Sequence, residues 1–514
     1  MRRSRTSRLT ALGTLAMLNV FTLAAAATVA HMLPPRLARL KIPVAAAVPV
    51  VGAAPVLAAA LPPGGGAGST NQNDATAPMP TQSGLSSLVA SSLPASAAGP
   101  SAGIMITDAV TGKVLYSQNG YSLAAPASTN KVVTAVAALA VLGPEARFTT
   151  SVKLAPSGIV LVGGGDPTLA VNSYPPSDYP QPATLAALAA KTAAALKTAG
   201  RRSVQLGYDT SLYSGPPLAP GWGADLVTSG NVTAITSLEA DQGRLTSGGA
   251  LEDDDDPTNY NPRATNPAAL TAAAFAAQLE KDGITVTGSP VSATAPAGAV
   301  TIARVESPVL ASIVDQMLQE SNNVIAENLV RHVAIAAGRP ATFSGAASAV
   351  TAEIRKLGVT TPISLVDGSG LSPDDGIAPV TLVRVLAAAA ADPRIRAAIT
   401  GLPVAGFSGT LSPGHSVFGG ITGTARGVVR AKTGNLSSVA DLAGVVVDHS
   451  GRLLIFALMA PQATSDSGLP AAAATAMNNS AAALAACGCL PPGGYTPTPQ
   501  TPPAPPPAFP PFHP

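Results

Sequence analysis

Two short runs, residues 104–107 and 114–117, alternate apolar and polar positions as half-buried strands do. Residues 108–113, with Thr111-Gly112, supply the turn that makes them a hairpin. Pro126-Ala127 then leads into a helix whose apolar positions Val132, Val133, Val136 and Leu139 recur at helical spacing, and Gly143-Pro144 stops it. Helical patterns return at 182–199, 313–319 and 324–330. Late in the chain, 427–431, 442–447 and 453–459 read as three consecutive strands, the last two joined by a turn at 448–451. An alanine-rich helix at 470–486 closes the pattern. Strands at both ends with helices between them predict an α+β fold whose sheet joins the two ends of the chain.

The ends read differently. Arg2, Arg3, Arg5 and Arg8 precede an apolar run from Leu9 to Ala30, a charged start followed by a hydrophobic stretch. This predicts export, and leaves a cleaved signal peptide and an uncleaved membrane anchor equally open for 1–32. No cysteine follows the run, which excludes a lipoprotein anchor. Residues 33–98 are rich in Pro, Ala, Gly and Ser and are expected to be a disordered tether. Residues 487–514 are expected to be a proline-rich, extended tail. Between these lie a first domain segment at 99–152, an insertion at 153–300 that has room for a smaller domain inside it, and a second segment of the first domain at 301–486.

The net charge of +2 gives no electrostatic case for nucleic acid. The two cysteines, Cys487 and Cys489, stand one residue apart, where a mutual disulfide is strained; they are expected to be small packed residues. The histidines are scattered and no Cys/His spacing suits a metal. The acidic run 253–256 lacks the spacing of a calcium loop and reads as a solvated turn.

Three strings carry the chemistry, in this order: Ser128-Thr129-Asn130-Lys131, Ser321-Asn322-Asn323 and Lys432-Thr433-Gly434. Alone, each has an ordinary reading: a capping serine before a helix lysine, a helix junction, a turn after a strand. Together they form a serine acyl-transfer site. Ser128 sits at the start of a helix, and Lys131 comes up one turn later on the same face. A serine hydroxyl needs a base, and a lysine serves only if burial or a neighbouring cation lowers its pKa; Lys432 is the expected cation. Ser321 is placed to pass a proton to the leaving amine. Asn323 is placed to hold Lys131 and bind a substrate amide. Lys432 and Thr433 are expected to hold a substrate carboxylate, and Gly434 to clear space for the substrate. The strand bearing them is expected at a sheet edge, where an extended peptide can pair with it. The N–H groups of Ser128 and Asn435 are the candidate oxyanion hole. A Ser-His-Asp triad is discounted, because Gly368-Ser369-Gly370 lacks the strand-turn-helix setting of a nucleophile elbow.

On these residues the chain resembles penicillin-binding proteins. It is similar in particular to the D-alanyl-D-alanine carboxypeptidase/endopeptidase family of low-molecular-mass class C, peptidase family S13. The supporting segments are Gly163-Gly164-Gly165-Asp166-Pro167-Thr168-Leu169, Pro220-Gly221-Trp222, Glu320 through Glu327, Asp367-Gly368-Ser369-Gly370-Leu371, Gly409-Thr410-Leu411 and Ala431 through Leu436. The resemblance covers residues 100–485, and the long interval from Ser128 to Ser321 is its mark.

It implies a transpeptidase/β-lactamase-like domain, an antiparallel sheet with helices, interrupted by an inserted domain. It implies Ser128 as nucleophile, Lys131 as base, Ser321 and Asn323 as shuttle and positioning groups, and Lys432, Thr433, Gly434 and Asn435 around the substrate. No metal or organic cofactor is implied. Peptidoglycan stem peptides are the implied substrate and β-lactams the implied covalent inhibitors. Asn435 stands where the family usually has threonine, and Asn322 where aspartate is usual. The expected activity is a serine-type D-Ala-D-Ala carboxypeptidase working outside the cytoplasmic membrane, with DD-endopeptidase action open beside it. A β-lactamase-like hydrolase and a catalytically inactive envelope scaffold are the alternatives.

Overall fold

The computed structural model describes residues 77–488, apart from 178, 252–259, 416, 422 and 462–468. The candidate export segment, most of the expected tether, the acidic run, Cys489 and the proline-rich tail lie outside the described residues. Among the described residues no helix is long and apolar enough to cross a membrane.

The chain runs through α1 (Gln82–Ser92), β1 (Gly103–Asp108), β2 (Val114–Gln118) and α2 (Asn130–Leu142). It continues with β3 (Thr149–Ala155), β4 (Gly158–Val162), α3 (Leu185–Thr198), β5 (Ser203–Asp209), α4 (Pro267–Lys281), β6 (Thr285–Val286), β7 (Val291–Ser292) and β8 (Thr301–Glu306). Four helices follow: α5 (Leu310–Glu320), α6 (Asn323–Ala336), α7 (Phe343–Lys356) and α8 (Pro379–Ala391). The chain then forms β9 (Val429–Leu436), β10 (Val439–Val447), β11 (Leu453–Ala460) and α9 (Leu469–Ala486).

As expected, both ends of the chain meet in one antiparallel sheet, of order β9-β10-β11-β1-β2. Alternate side chains divide between two cores. Met105, Ala443, Val445, Ile455, Ala457 and Met459 pack with α2, α5, α6 and α8. Ile104, Ile106, Leu442, Leu454, Phe456 and Leu458 pack with α1 and α9. With both faces covered, β11 is buried at every position, so its sequence reads as an unbroken apolar run rather than an alternating one. Helix α2 is buried from Asn130 to Leu139 and runs through the middle of the first core.

The globular fold begins earlier than composition suggests. Residues 82–98, assigned above to the tether, fold onto the sheet. The hydroxyl of Thr81 caps α1 by accepting from Gly84 N–H. Leu85, Val89 and Leu93, spaced four apart, pack with Met477, Ala481 and Leu484 of α9. Cys487 is buried in the same layer just past the end of α9, as expected of a small packed residue, but it is disulfide-bonded.

The insertion carries its own sheet of order β6-β5-β4-β3-β8, with β7 also on β5. Helices α3 and α4 pack on it through Leu185, Leu188, Leu196, Phe275 and Leu279. Its bounds are wider than the expected 153–300, because the chain enters along β3 and leaves along its antiparallel neighbour β8, with Thr149 opposite Glu306. Between β5 and α4 the described residues add no further strand to this sheet. There Ala219, Val232 and Ile235 instead pack on Val324 of α6 and Phe343 of α7, which brings the insertion against the helical layer.

Candidate active site

Ser128 lies in a single 3-10 turn, Ala127–Thr129, that feeds α2. Thr129 fixes the turn by donating to Pro126 O from both its N–H, at 3.0 Å, and its hydroxyl, at 2.6 Å. Ala127 holds a φ of 43°, in the left-handed region that an alanine seldom occupies. The residue before the nucleophile is thus the strained one.

Lys131 follows one turn later and is completely buried. Its Nζ lies 2.9 Å from Ser128 Oγ, 2.6 Å from Asn323 Oδ1 and 2.7 Å from Ser369 O. Three acceptors match the three N–H bonds of an ammonium; in the neutral amine two N–H bonds still reach Asn323 Oδ1 and Ser369 O, and the Ser128 hydroxyl can donate to the lone pair. Burial brings its pKa down to about 7, while the carboxylates of Asp367, Glu327 and Asp375 pull it upward. Burial, rather than the charge of Lys432, therefore makes it a base near neutrality.

Ser321-Asn322-Asn323 is the junction of α5 and α6. Ser321 is the left-handed C-cap of α5, with φ 58°. Asn322 N-caps α6, accepting from Ile325 N–H at 3.1 Å, and its Nδ2 donates to Gln242 Oε1 of the insertion at 2.9 Å. An amide does both jobs, so the departure from aspartate is accommodated. Asn323 turns Oδ1 to Lys131 and donates from Nδ2 to Asn231 O, also in the insertion, at 2.9 Å.

Strand β9 is an edge strand, as expected, but Lys432-Thr433-Gly434 lies inside it rather than at its end. On its outer side Ala431 N–H donates to Pro403 O, and Val429 O accepts from Ala405 N–H, both at 3.0 Å. Backbone groups alternate sides along such a ladder, so Thr433 and Asn435 also turn N–H and C=O outward. Ser128, Thr433 and Asn435 line one cavity of about 780 Å³. The outward N–H of Asn435 and the turn of Ser128 thus face the same space, as an oxyanion hole requires.

Two expectations for this strand change. Lys432 does not line the cavity; it is fully buried, with Nζ donating to Ser321 Oγ at 2.9 Å and to Thr433 O at 3.0 Å. Burial, with the nearby Lys131, holds its pKa well below the ordinary lysine value. It is better placed to support Ser321 than to meet a carboxylate as a point charge. Gly434 is required by the nucleophile turn rather than by substrate, since a β-carbon there would stand 2.8 Å from Pro126 O.

The opposite wall comes from the insertion: Asp225, Asn231, Arg244, Tyr260 and Arg263 line the cavity with Glu320, Thr410 and His415. Arg263 is held by Gly230 O and Gln242 O, each at 3.0 Å. Thr433 Oγ1 donates to Thr410 Oγ1 at 3.0 Å, which adds a second hydroxyl beside the strand.

The model of the D-Ala-D-Ala carboxypeptidase 3 (S13) family matches residues 85–248 and 227–484. The chain belongs to this family. As an S13 protein it is a serine-type D-Ala-D-Ala carboxypeptidase, a hydrolase. Carboxypeptidase DacB of Mycolicibacterium smegmatis is 39% identical over 427 residues, which cover 81% of this chain and 87% of that protein. The D-alanyl-D-alanine carboxypeptidase of an Actinomadura species is 30% identical over 423 residues, 69% of this chain and 77% of that one. The crystal structure of penicillin binding protein 4 (dacB) from Haemophilus influenzae shares the fold, with a TM-score of 0.62 at 24% identity over 76% of this chain and 98% of that one.

For this S13 protein, the motif residues gathered from sequence do converge, apart from the changed places of Lys432 and Gly434. The insertion's wall was missed as a source of cavity residues; Pro220-Gly221-Trp222 was its one signal. The Asp367–Leu371 segment carried the resemblance but no assigned role, and its Ser369 carbonyl proves to be a partner of Lys131.

Proposed function

We propose that the chain releases the terminal D-alanine from peptidoglycan stem peptides through an ester on Ser128, with Lys131 as base. The 2.9 Å approach of Lys131 Nζ to Ser128 Oγ, in a cavity bordered by the free edge of β9, is the observation that carries this reading. The extended peptide pairs with the outward backbone of Thr433 and Asn435. Neutral Lys131 takes the hydroxyl proton as Oγ bonds to the penultimate carbonyl carbon. The N–H groups of Ser128 and Asn435 receive the negative charge that collects on the carbonyl oxygen. Ser321, supported by Lys432, relays the proton taken by Lys131 to the departing amine as the C–N bond breaks, which returns Lys131 to its neutral form. Water then adds to the ester carbonyl, its proton passing to Lys131 and from there to Ser128 Oγ as the ester C–O bond breaks. A cross-bridge is cut by the same steps when the departing amine belongs to a second stem peptide. A β-lactam acylates the same oxygen.

The basic start and apolar run of the sequence support work outside the cytoplasmic membrane, with residues 1–32 as signal or anchor. Fractionation tests this: soluble cytoplasmic protein with an intact N-terminus contradicts it. For the activity, purified protein is assayed on a pentapeptide ending in D-Ala-D-Ala and on a cross-linked dimer. D-alanine release that Ser128→Ala abolishes supports the reading; release that survives Ser128→Ala removes it.

A further inference from the structure

Behind Lys131 lies a buried wall that the steps above do not use. The carbonyl of Ser369, one of the three acceptors on Lys131 Nζ, belongs to the turn 367–370. One carboxylate oxygen of Glu327, on α6, accepts from both Gly368 N–H, at 3.0 Å, and Ser369 N–H, at 2.8 Å. Glu327 is fully buried. Glu327 thus grips the two peptide units that lead into the Ser369 carbonyl, whose own unit is held by Gly370 N–H donating to Asp367 Oδ1 at 2.6 Å, and it sits on the same helix as Asn323, the other fixed partner of Lys131.

We propose that Glu327 is a positioning residue for the catalytic base: its carboxylate fixes the Ser369 carbonyl on Lys131 and supplies buried negative charge that favours the protonated lysine formed when Ser128 attacks. The role rests on Lys131 being the base.

Two further observations support it. The other anchors of the turn serve different atoms: Asn130 Nδ2 donates to Asp367 O at 3.1 Å, the Thr134 hydroxyl to Gly368 O at 2.7 Å, and Gly370 N–H to Asp367 Oδ1 at 2.6 Å. Glu327 alone among the described residues holds the N–H of Ser369. The charge balance is also set here. Asp367 acts on Lys131 from the turn, Glu327 from α6 and Asp375 from the segment after the turn, Lys432 acts from β9, and Arg331 stands on α6 beside Glu327. Burial and Asp367 push Glu327 up to about 7, against Arg331. Burial and Asp367 also push the Asp375 carboxyl up.

The test is the pH profile of the second-order acylation rate with a fluorescent penicillin, for wild type, Glu327→Gln and Glu327→Asp. A glutamine oxygen can still accept from both N–H groups but carries no charge. Its acid limb should move to lower pH by under about one unit, because the wild-type carboxyl itself gains a proton along that limb, and its alkaline plateau, where the wild-type carboxylate is charged, should fall severalfold because a weaker base takes the proton less well. Aspartate keeps the charge and loses reach, so its limb should stay in place while its plateau falls. An unmoved limb in Glu327→Gln overturns the electrostatic half. A wild-type plateau in Glu327→Asp overturns the positioning half, and decides the matter alone if Glu327→Gln does not fold. Wild-type protein that fails to label at Ser128 would instead sink the underlying mechanism.

Discussion

Gly370 packs against the carbonyl oxygen of Ala127 so closely that a β-carbon on the glycine would overlap it. Gly370 also holds φ 83°, and its N–H donates to Asp367 Oδ1 at 2.6 Å. One residue thus joins the turn that holds Lys131 to the turn that holds Ser128. Gly370→Ala should push these apart. A displacement near 1 Å at reacting atoms can cost about a hundredfold, and a fall of that order in penicillin acylation is expected. Stopped-flow labelling beside a thermal melt checks it; normal acylation would mean that the two turns move independently.

Acylation should depend on pH through Lys131. The reactive form is neutral, and burial sets its pKa at about 7. The rate should therefore fall about tenfold per unit below that value and level off above it. Lys131→Ala should lose about 10²–10⁴-fold and lose the acid limb with it. A limb that persists in Lys131→Ala assigns the titration to another group.

Much of this was legible in the sequence, for identifiable reasons. Lys131 is three residues from Ser128, and helix geometry alone brings them to one face. The strands of the first sheet carry enough apolar residues to be placed within a few positions. What escaped depends on contacts between distant segments. Nothing local in Lys432 says that its amine turns to Ser321, and nothing in Gly434 says that Pro126 lies over it. Arg263 and Asn231 reach the cavity only because Val232 and Ile235 pack on Val324 and Phe343. Helix α1 was hidden by composition, since glycine, serine and alanine surround its Leu85, Leu88 and Val89.

That helix gives a direct stability test. Leu85 is fully buried between α1 and α9. Leu85→Ala should cost about 2–5 kcal/mol by chemical denaturation, as for other core leucines. The same change in a solvated tether would cost nothing measurable.

A buried ion pair, Asp108 with Arg452, ties β1 to the start of β11. Arg452 also donates to Ala77 O at 3.0 Å. Burial pushes the Asp108 carboxyl up, but its bonds from Arg452, Thr111 and Val110 outweigh this and hold it below the ordinary value. A depressed carboxyl stabilises the fold fully above its unfolded pKa of about 3.9, and the contribution disappears as pH falls below that. Arg452→Ala leaves the aspartate uncompensated and should cost about 3–5 kcal/mol at pH 7. The deficit should shrink as the pH falls through 4 to 3. Denaturation midpoints across that range measure it, and a constant deficit would mean that the pair acts by packing alone.

The reading of the substrate carboxylate now falls on hydroxyls. Lys432 is turned to Ser321 and does not line the cavity, whereas Thr433 and Thr410 do, their hydroxyls 3.0 Å apart. Asn435 brings no hydroxyl, and Thr410 offers the second one on the cavity wall. Removing a hydrogen bond to a charged group costs more than removing one to a neutral group. Thr433→Val should therefore lower kcat/KM for a peptide with a free C-terminal carboxylate about tenfold more than for the same peptide amidated. Thr410→Val should act in the same direction. An unchanged ratio in both would move the carboxylate to Arg263 on the insertion's wall. Arg430 is not an alternative, because it is buried away from the cavity with Nη1 donating to Thr400 O at 2.9 Å. Arg426, stacked over Phe407 at 5.0 Å, is likewise absent from the cavity lining.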